Sequence, residues 1–444
     1  MRSKMKTTAT KEEGKPALVP KLRFPEFREA EGWALEPMGD VYSFKGNNSL
    51  SRDKLNYVAG SVKNIHYGDI HTKFSTHFDI TKEIVPFIND PEEAVVRAEN
   101  LCSDGDMIFA DASEDLADIG KSIEVVRLNG ERVVSGLHTI LARRVGERIA
   151  LGFGGHLFKS GWARTQIQKE AQGAKVLGIS PTRLRNLRLP LPHDQAEQQK
   201  IAECLSSVAE LTTAQARKVD ALKTHKKALI QHLFPRDGET RPRLRFPEFQ
   251  KAGDWEMREL SDFITERNEY PKEKVSLFSL TIEDGVTPKT ERYERSFLVN
   301  DEAGAYKLVM PNDFAFNPMN LRFGAIGRHS GAEKVAVSKY YNIFTCNESV
   351  DSGFCETYFR SDGMIAFYDD MAIGSLIEKR RVHFAAFLKF SIRFPRLPEQ
   401  QRIASCLSSL DALITAETQK HEALKSHKKG LMQQLFPSPE EVEA

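Results

Sequence analysis

Residues 197–235 read "EQQKIAECLSSVAELTTAQARKVDALKTHKKALIQHLFP", and residues 399–437 read "EQQRIASCLSSLDALITAETQKHEALKSHKKGLMQQLFP". The two stretches match at a constant offset of 202 residues. In both, apolar residues recur at alternating steps of four and three, which is the spacing of a coiled-coil seam. No proline or glycine interrupts residues 196–234, so about 38 residues form one helix of roughly 57 Å, which Pro235 ends.

The predicted seam is apolar at both ends of each stretch. Its residues are Ile201, Leu205, Val208, Leu222, Leu229 and Leu233 in the first stretch and Ile403, Leu407, Leu410, Leu424, Leu431 and Leu435 in the second. A helix that is apolar along one stripe buries that stripe against a partner, and its own duplicate is the nearest candidate. We expect an antiparallel pair, which places the apolar ends of one helix against those of the other. The alternative is that each helix packs separately on its own globular domain.

A second repeat opens each half of the chain. "LRFPEFREAEGWALEPMGDV" begins at Leu22 and "LRFPEFQKAGDWEMRELSDF" begins at Leu244, at a constant offset of 222 residues. The two offsets differ by 20, so the variable filling between opening and closing is 20 residues shorter in the second half. The two phenylalanines of each LRFPEF motif are candidates to anchor the domain to the helices, although core packing explains them equally well.

Each filling is predicted to be a domain of mixed, β-rich structure. Short apolar runs such as "SIEVVRL", "RVVSGLHTILARRV" and "KVAVSKYYNIFTC" are separated by Gly, Asn, Asp and Pro. The predicted division is a flexible tail (1–21), a first domain (22–193), a central helix (194–235), a linker (236–243), a second domain (244–397), a C-terminal helix (398–436) and a second tail (437–444).

The composition of the chain excludes several classes of protein. At 444 residues, with 40% hydrophobic and 28% charged residues, it is typical of a soluble protein of two or more domains. No apolar stretch of about 18 residues is present to span a membrane, and the polar N-terminus does not resemble a signal peptide, so we expect a cytoplasmic protein. The five cysteines show neither a C-x-x-C pair nor zinc-ligand spacing, which predicts reduced thiols and no metal site.

The sequence lacks the motifs of several well-known catalytic sites. It has no Walker sequence and no H-E-x-x-H or G-x-S-x-G motif. A methyltransferase acting on base amino groups needs an Asn/Asp-Pro-Pro-aromatic turn, and the nearest text, "NPMN" at residues 317–320, lacks the second proline and the aromatic residue. We therefore predict no catalytic residue in this chain. A methyltransferase that carries its own cofactor is the rival hypothesis.

Two basic stretches precede the repeated helices in the same relative position. Residues 159–190 carry seven basic residues and one acidic residue, and residues 379–396 carry six basic residues and no acidic one. Such patches suit contacts with DNA phosphates. The candidate phosphate contacts are Arg164, Lys169, Lys379, Arg380 and Arg381. The alternative is an ordinary solvated face that acidic residues elsewhere compensate.

Polar loops in each filling are candidates for reading base edges, because amides, guanidinium groups and hydroxyls match the hydrogen-bond pattern of the major groove. In the first filling these residues are Lys45, Asn47, Asn48, Arg52, His66, Tyr67, His71 and Lys73. In the second filling they are Asn320, Arg322 and Arg328. For each of them, a purely structural role is the alternative.

Taken together, these motifs make the chain similar to the specificity subunits of type I restriction-modification systems. The resemblance rests on the doubled "LRFPEF" opening with its tryptophan, on the "KKALIQHLFP" and "KKGLMQQLFP" closings, and on "IHYGDI", "SGLHTI" and "NPMNLRFGAIG" in the fillings. It covers nearly the whole chain. One departure is "LPHDQAEQQ" at residues 191–199 where the second half has "LPEQQ" at residues 397–401, so the turns before the two helices differ.

The resemblance implies an α+β fold, in which two mixed, β-rich target-recognition domains are separated by two long α-helices that form an antiparallel coiled coil with pseudo-two-fold arrangement. It implies that each domain reads one half of a bipartite, asymmetric DNA site and that the coiled coil sets the spacer.

The implied partners are double-stranded DNA, two modification subunits that hold S-adenosylmethionine and methylate adenine, and restriction motor-nuclease subunits that use ATP and Mg. The chain itself would then be non-catalytic, bind none of these cofactors, and work in the cytoplasm of a prokaryote. A scaffold that holds proteins together and never contacts DNA is a further alternative.

Overall fold

The structure, a computed structural model, describes residues 18–89, 97–236, 238–289, 304–374 and 380–438. The chain divides into two units. Unit 1 comprises Met1–Gln215 and Lys420–Ala444, and unit 2 comprises Ala216–Gln419. Each unit therefore contains one variable filling and a part of each repeated helix.

Short strands alternate with short helices in the filling of unit 1, which leads into the long helix α6. In chain order the elements are β1 (Ala34–Pro37), α1 (Met38–Val41), β2 (Tyr42–Lys45), β3 (Leu55–Asn56), β4 (Lys63–Ile65), α2 (Tyr67–Thr72), β5 (His77–Asp79), β6 (Phe87–Ile88), β7 (Met107–Ala110), β8 (Ala112–Ser113), β9 (Ser122–Arg127), β10 (Val133–Ser135), β11 (Thr139–Arg144), α3 (Phe153–Leu157), α4 (Gly161–Glu170), β12 (Leu177–Gly178), α5 (Pro181–Arg185), β13 (Arg188–Leu191) and α6 (Gln195–Leu233). Single turns of 3-10 helix lie at Pro25–Phe27 and Arg52–Lys54.

A five-stranded sheet with the strand order β2-β11-β7-β9-β5 forms the centre of unit 1. Side chains alternate between the two faces of a strand, so Met107 and Phe109 of β7 pack into the core beside α6 and the end of the C-terminal helix. Ile108 and Ala110 pack on the opposite face, which α2 covers through Ile70. The sheet thus separates the face that binds the long helices from the face that carries the loop residues selected from the sequence.

The elements of unit 2 run from the second opening motif to the second long helix. In chain order they are β14 (Glu256–Glu259), β15 (Ile264–Arg267), β16 (Phe278–Thr281), β17 (Gly285–Pro288), β18 (Tyr306–Val309), β19 (Phe314–Phe316), β20 (Ile326–Arg328), β21 (Val335–Ser338), β22 (Asn342–Cys346), α7 (Ser352–Phe359), α8 (Asp362–Met371), α9 (Phe384–Leu388), β23 (Ser391–Phe394) and α10 (Leu397–Leu435). Single turns of 3-10 helix lie at Pro247–Phe249, Leu260–Asp262 and Leu321–Phe323.

The two fillings share a strand order that their sequences do not show. The sheet of unit 2 has the order β15-β22-β19-β20, and the sheet of unit 1 contains β2-β11-β7-β9 in corresponding positions. In both units the opening strand also pairs antiparallel with the strand that precedes the long helix, as β1 with β13 and β14 with β23. The predicted α+β fold with two β-rich domains and two long helices is confirmed.

Both long helices contain 39 residues, and the predicted seam residues line their least exposed side. All twelve seam residues are buried or half-buried. Within unit 1, Ile201 and Leu205 of α6 share a core with Leu435 of α10. Within unit 2, Leu233 of α6 shares a core with Leu407 of α10. The start of each helix therefore packs with the end of the other, as in the predicted antiparallel pair.

Ion pairs join the two helices within unit 2 as well. Lys226 Nζ lies 2.5 Å from Asp411 Oδ1, and Lys218 Nζ lies 2.6 Å from Glu417 Oε1. A later residue of α6 thus meets an earlier residue of α10, which again requires antiparallel chains. These pairs occupy the polar middle of the repeated stretches, where the seam offers few apolar contacts.

A buried ion pair connects each LRFPEF motif to the start of the helix in the same unit. In unit 1, Arg23 Nε and Nη2 each donate to the Glu197 carboxylate at 2.7 Å, and Trp33 Nε1 donates to it at 3.3 Å. In unit 2, Arg245 makes the same two bonds to Glu399 at 2.7 Å. We call this arrangement the Arg–Glu frame. It explains why the opening motif and the EQQ motif are both repeated.

The last turn of each long helix closes the unit in which it ends. The N–H of Leu22 donates to the carbonyl of Gln434 at 2.9 Å, and the N–H of Leu244 donates to the carbonyl of His232 at 2.9 Å. Beside these bonds, the ring of Phe436 lies 6.0 Å from that of Trp33. The LFP motif that ends a helix is therefore a core element and not only a stop signal.

The ends of the predicted segments show two local differences. Leu18, in the predicted N-terminal tail, is buried, and its carbonyl accepts a hydrogen bond from the Trp33 N–H at 2.7 Å. Before α6, the Asp194 side chain accepts a hydrogen bond from the Ala196 N–H at 2.8 Å, and this capping interaction occupies the longer turn of the first half. Within the described residues, none of the helices combines the length and the apolarity that a membrane span requires.

Candidate nucleic-acid interface

The two polar loops selected in the first filling lie together around α2. Arg52 donates two hydrogen bonds to the Asp69 carboxylate, at 2.8 and 3.2 Å, and Lys73 Nζ lies 2.9 Å from the same group. The Asp69 side chain is fully buried, whereas those of Arg52 and Lys73 remain 45% and 51% exposed. Two cations share one anion, so this surface keeps a net positive charge that suits a phosphate.

The selected asparagines hold a neighbouring turn through their side-chain amides. Asn47 Nδ2 donates to the carbonyl of Thr139 at 2.7 Å, and Asn48 Nδ2 donates to the carbonyl of Ser135 at 3.0 Å and to Asn64 Oδ1 at 2.8 Å. Both amides therefore stabilise the connection between β10 and β11. The structure gives them the structural role that the sequence left open.

An aromatic cluster surrounds Tyr67 at the start of α2. Its ring centroid lies 4.7 Å from that of His66, 6.2 Å from that of His71 and 5.2 Å from that of His138. His66 Nδ1 accepts a hydrogen bond from the Gly68 N–H at 3.2 Å and so caps α2. Burial, together with the charge of Arg52, lowers the pKa of His66. His138 was not among the residues predicted from the sequence.

The remaining candidates of unit 1 lie on other elements. Lys45 ends β2 and is half-buried, and Lys169 is exposed on the last turn of α4. Arg164 of α4 donates to the carbonyls of Ala117 and Ile119, at 2.9 and 2.7 Å. His71 Nε2 lies 3.1 Å from the carbonyl of Ala112. Arg164 thus supports the loop after β8, while Lys169 remains accessible to a phosphate.

In unit 2 the structure brings two of the selected arginines to one acidic residue. Arg322 Nε and Arg380 Nη1 lie 2.8 and 3.4 Å from Asp369 Oδ1 at the end of α8. The Arg322 guanidinium also lies 4.7 Å from the ring centroid of Phe323, which is exposed. Arg381 is exposed beside this group. The cluster again combines surplus positive charge with an exposed aromatic ring.

The other selected residues of unit 2 have different surroundings. Arg328 Nε donates to Glu356 at 2.9 Å, and its Nη1 donates to Asn312 Oδ1 at 2.8 Å. Asn320 is exposed and precedes the 3-10 turn that contains Arg322. Arg328 therefore fastens β20 to α7. Lys379 lies outside the described residues.

A buried polar cluster ties the filling of unit 1 to α6. The ring centroids of His77 and His156 lie 4.5 Å apart, and Ser206 Oγ of α6 lies 3.3 Å from His77 Nδ1 and 3.2 Å from His156 Nε2. Burial lowers the pKa of both histidines, so both rings are neutral near pH 7. Burial raises the pKa of the neighbouring Glu124 to about 7. The sequence pattern did not indicate this cluster, because its members are far apart in the chain.

The Arg–Glu frame is the main structural feature that residue patterns did not predict. The sequence pointed to the phenylalanines of LRFPEF, and Phe24 and Phe246 do pack at the edge of the two cores. The deeper contact is made by Arg23 and its copy Arg245. An arginine repeated at the same position of both LRFPEF motifs was the available signal.

With this geometry described, known proteins can be compared with the chain. Residues 372–426 match the family described as "Type I restriction modification DNA specificity domain". Over this segment the chain is similar to the type I specificity subunits. The description of the matched family concerns DNA specificity.

Relatives of known sequence or structure resemble this chain along most of its length. It is 24% identical over 433 residues to a Methanocaldococcus jannaschii protein named as the MjaX specificity subunit of a type I restriction enzyme, with 91% of this chain and 93% of that protein covered. The crystal structure of the S subunit of a type I restriction-modification system from M. genitalium has a TM-score of 0.54 at 11% identity, covering 95% of this chain and all of that one (100%).

A second solved structure concerns complex assembly and conformational transition of the type I R-M system. It has a TM-score of 0.53 at 16% identity and covers 92% of this chain and 98% of that one. At these identities the likeness to both structures concerns the fold. It agrees with the two β-rich domains and two long helices of this chain.

Proposed function

We propose that this chain is the specificity subunit of a type I restriction-modification system, that it reads a bipartite, asymmetric DNA site, one half with each unit, and that its paired long helices set the spacer between the halves. The observation that carries the proposal is the repetition of the Arg–Glu frame around two fillings of different sequence. An identical frame holds each unit to the helices, while the different fillings meet different bases. The subunit performs no chemistry itself and works in the cytoplasm.

Charge and exposure in each filling support contacts with DNA. In unit 1, Arg52 and Lys73 share one buried carboxylate, and in unit 2 Arg322 and Arg380 share another partner, Asp369. These groups suit phosphates, which position a protein on the duplex without reading it. The nearby aromatic rings add apolar surface for base contacts.

Matched leucines on the long helices support docking of two copies of one partner. Leu211 of α6 is 58% exposed and Leu413 of α10 is 43% exposed. The two positions are related by the offset of the repeat, 202 residues. Exposed leucines at equivalent positions suit two equivalent protein contacts. We assign them to two modification subunits that hold S-adenosylmethionine, with ATP- and Mg-dependent restriction subunits joining that assembly.

Selection from random duplex DNA tests the proposal. The full chain, in complex with its modification subunit, is expected to enrich two short conserved blocks separated by a gap of constant length. A single continuous block, or no enrichment, contradicts the proposal. Binding of labelled S-adenosylmethionine by the chain alone would instead favour the rival hypothesis of a self-contained methyltransferase.

Charge reversal tests the DNA-contacting face of unit 2. Arg381→Glu removes an exposed cation next in sequence to Arg380, so duplex retention should weaken for all sequences alike, and its dependence on salt should become shallower. Lys251→Glu changes an exposed lysine near the opening motif and is the matched control. If both variants lose duplex retention equally, the effect reflects the net charge of the protein and not this face.

A further inference from the structure

His138 has a backbone conformation that is uncommon for its residue type. Among the described residues, the non-glycine residues with positive φ are Asn129 (52°), His138 (55°) and Asn312 (68°). Asparagine enters this region more readily than most residues, because its short polar side chain bonds locally. A residue held in a sparsely populated conformation by its surroundings often belongs to a functional site.

The turn that carries His138 is held from several sides. It connects β10 to β11, and Asn47 and Asn48 bind the carbonyls of Thr139 and Ser135. The N–H of Asp111 donates to the carbonyl of His138 itself at 3.0 Å. The conformation of His138 is therefore imposed by neighbouring strands and loops. The asparagines selected from the sequence as base readers are the groups that impose it.

The side chain of His138 is presented outward and oriented. It is 51% exposed, and its Nδ1 lies 3.1 Å from Asp111 Oδ1. Its ring packs edge-on against Tyr67 at 5.2 Å. In the tautomer in which Nδ1–H donates to Asp111, Nε2 is a hydrogen-bond acceptor. A fixed acceptor on a rigid turn is suited to recognise an amino group.

Positive charge flanks this turn. Tyr67 begins α2, which also carries Asp69, the residue that holds the half-exposed side chains of Arg52 and Lys73. These cations suit the phosphates of a DNA strand, and the ring of His138 contacts that of Tyr67 on α2. Phosphate contacts and a base contact would then come from one continuous surface of unit 1.

We propose that His138 contacts one base pair in the half-site read by unit 1, accepting a hydrogen bond from the amino group of adenine or cytosine in the major groove. Asn47 and Asn48 are positioning residues that hold the turn. This inference rests on the proposed function, since it names the residue through which unit 1 reads sequence.

Selection from random duplexes with His138→Gly tests the assignment. Glycine adopts positive φ readily, so the turn keeps its backbone while the ring is lost. The preference for adenine or cytosine at one position of one half-site should fall about 5- to 100-fold, with the other half-site and the gap unchanged. Asn47→Ala should weaken the preference at that same position and no other.

Asn129→Gly is the matched control, because it makes the same kind of change at another exposed turn of unit 1 with positive φ. It should leave both half-sites unchanged. An unaltered half-site in His138→Gly overturns the inference, and so does a uniform loss of affinity with a shallower salt dependence, which indicates a phosphate contact. If wild type enriches no sequence, the proposed function itself fails, which is a different result.

Discussion

Arg23→Met should destabilise unit 1 more than most single substitutions in this chain. The guanidinium makes two bonds of 2.7 Å to the Glu197 carboxylate, and further bonds of 2.8 and 2.9 Å to the carbonyls of Ala30 and Glu31. The carboxylate is almost completely buried, with 1% of its side chain exposed. After the substitution, Trp33 Nε1 would be its one remaining donor among the contacts of this frame.

The expected loss of free energy of unfolding follows from the burial of the Glu197 carboxylate. Removing one partner of a buried ion pair leaves an uncompensated charge, which costs about 3–5 kcal/mol. Arg23→Lys keeps the charge but loses the planar guanidinium that reaches both carboxylate oxygens and both carbonyls. The free energy of unfolding should therefore fall by about 1–3 kcal/mol. In the double variant Arg23→Met/Glu197→Met no charge is left unpaired, so it should be more stable than Arg23→Met alone.

Urea unfolding, followed by circular dichroism and tryptophan fluorescence, measures these differences. Lys200→Met is the matched control, because Lys200 lies 3.4 Å from Glu26 of the same motif but both side chains are about half exposed. It should cost less than about 1 kcal/mol. The reasoning is refuted if Arg23→Met changes the free energy of unfolding by no more than the control does. It is also refuted if the double variant loses the sum of the free energies lost in the two single variants.

Further predictions concern docking, pH and the spacer. Leu211→Asp combined with Leu413→Asp should abolish binding of two modification subunits, and each single variant should leave one bound, as measured by mass of the complex. His156→Gln should reduce the acid sensitivity of unit 1. Burial lowers the pKa of His156 below its usual 6.5, so the stability that its neutral ring provides is present above pH 6.5 and is lost at lower pH, by about 1.4 kcal/mol per pH unit. Urea unfolding of wild type and His156→Gln at pH 7.5 and 5.5 checks this. If the free energy of unfolding changes equally with pH in the two proteins, the prediction is wrong. Glu124, with its raised pKa, shifts the pH dependence in the opposite direction in both proteins. Inserting four residues into each long helix adds about 6 Å, so the gap in the selected DNA should lengthen by roughly two base pairs with both half-sites intact, whereas an unchanged gap would refute the spacer role.

The repeated helices could be predicted from the sequence because their information is local. Alternating steps of four and three place Leu205 on the apolar stripe of α6 and Leu407 on that of α10, and any helix with such a stripe must cover it. A repeat at constant offset then indicates the partner. The family resemblance rests partly on motifs in those same repeated segments and partly on motifs in the openings and fillings.

The candidate site could be predicted only in part. The loops around Arg52 and Lys73 do lie on one surface, and the sequence indicated both of them. It could not show that Asn47 faces a carbonyl of β11, since those partners are 92 residues apart in the chain. A polar residue in a loop has the same local pattern whether it binds the backbone or a ligand.

The sequence by itself thus determined the two long helices, their antiparallel pairing and the division into two β-rich domains. Only the tertiary structure decided which residues hold the frame and which face outward: Arg23 is buried against Glu197, and His138 is presented on a turn. The physical reason is that helix periodicity depends on neighbours three and four residues away, whereas pairing of buried charges and amides depends on contacts made when distant segments fold together.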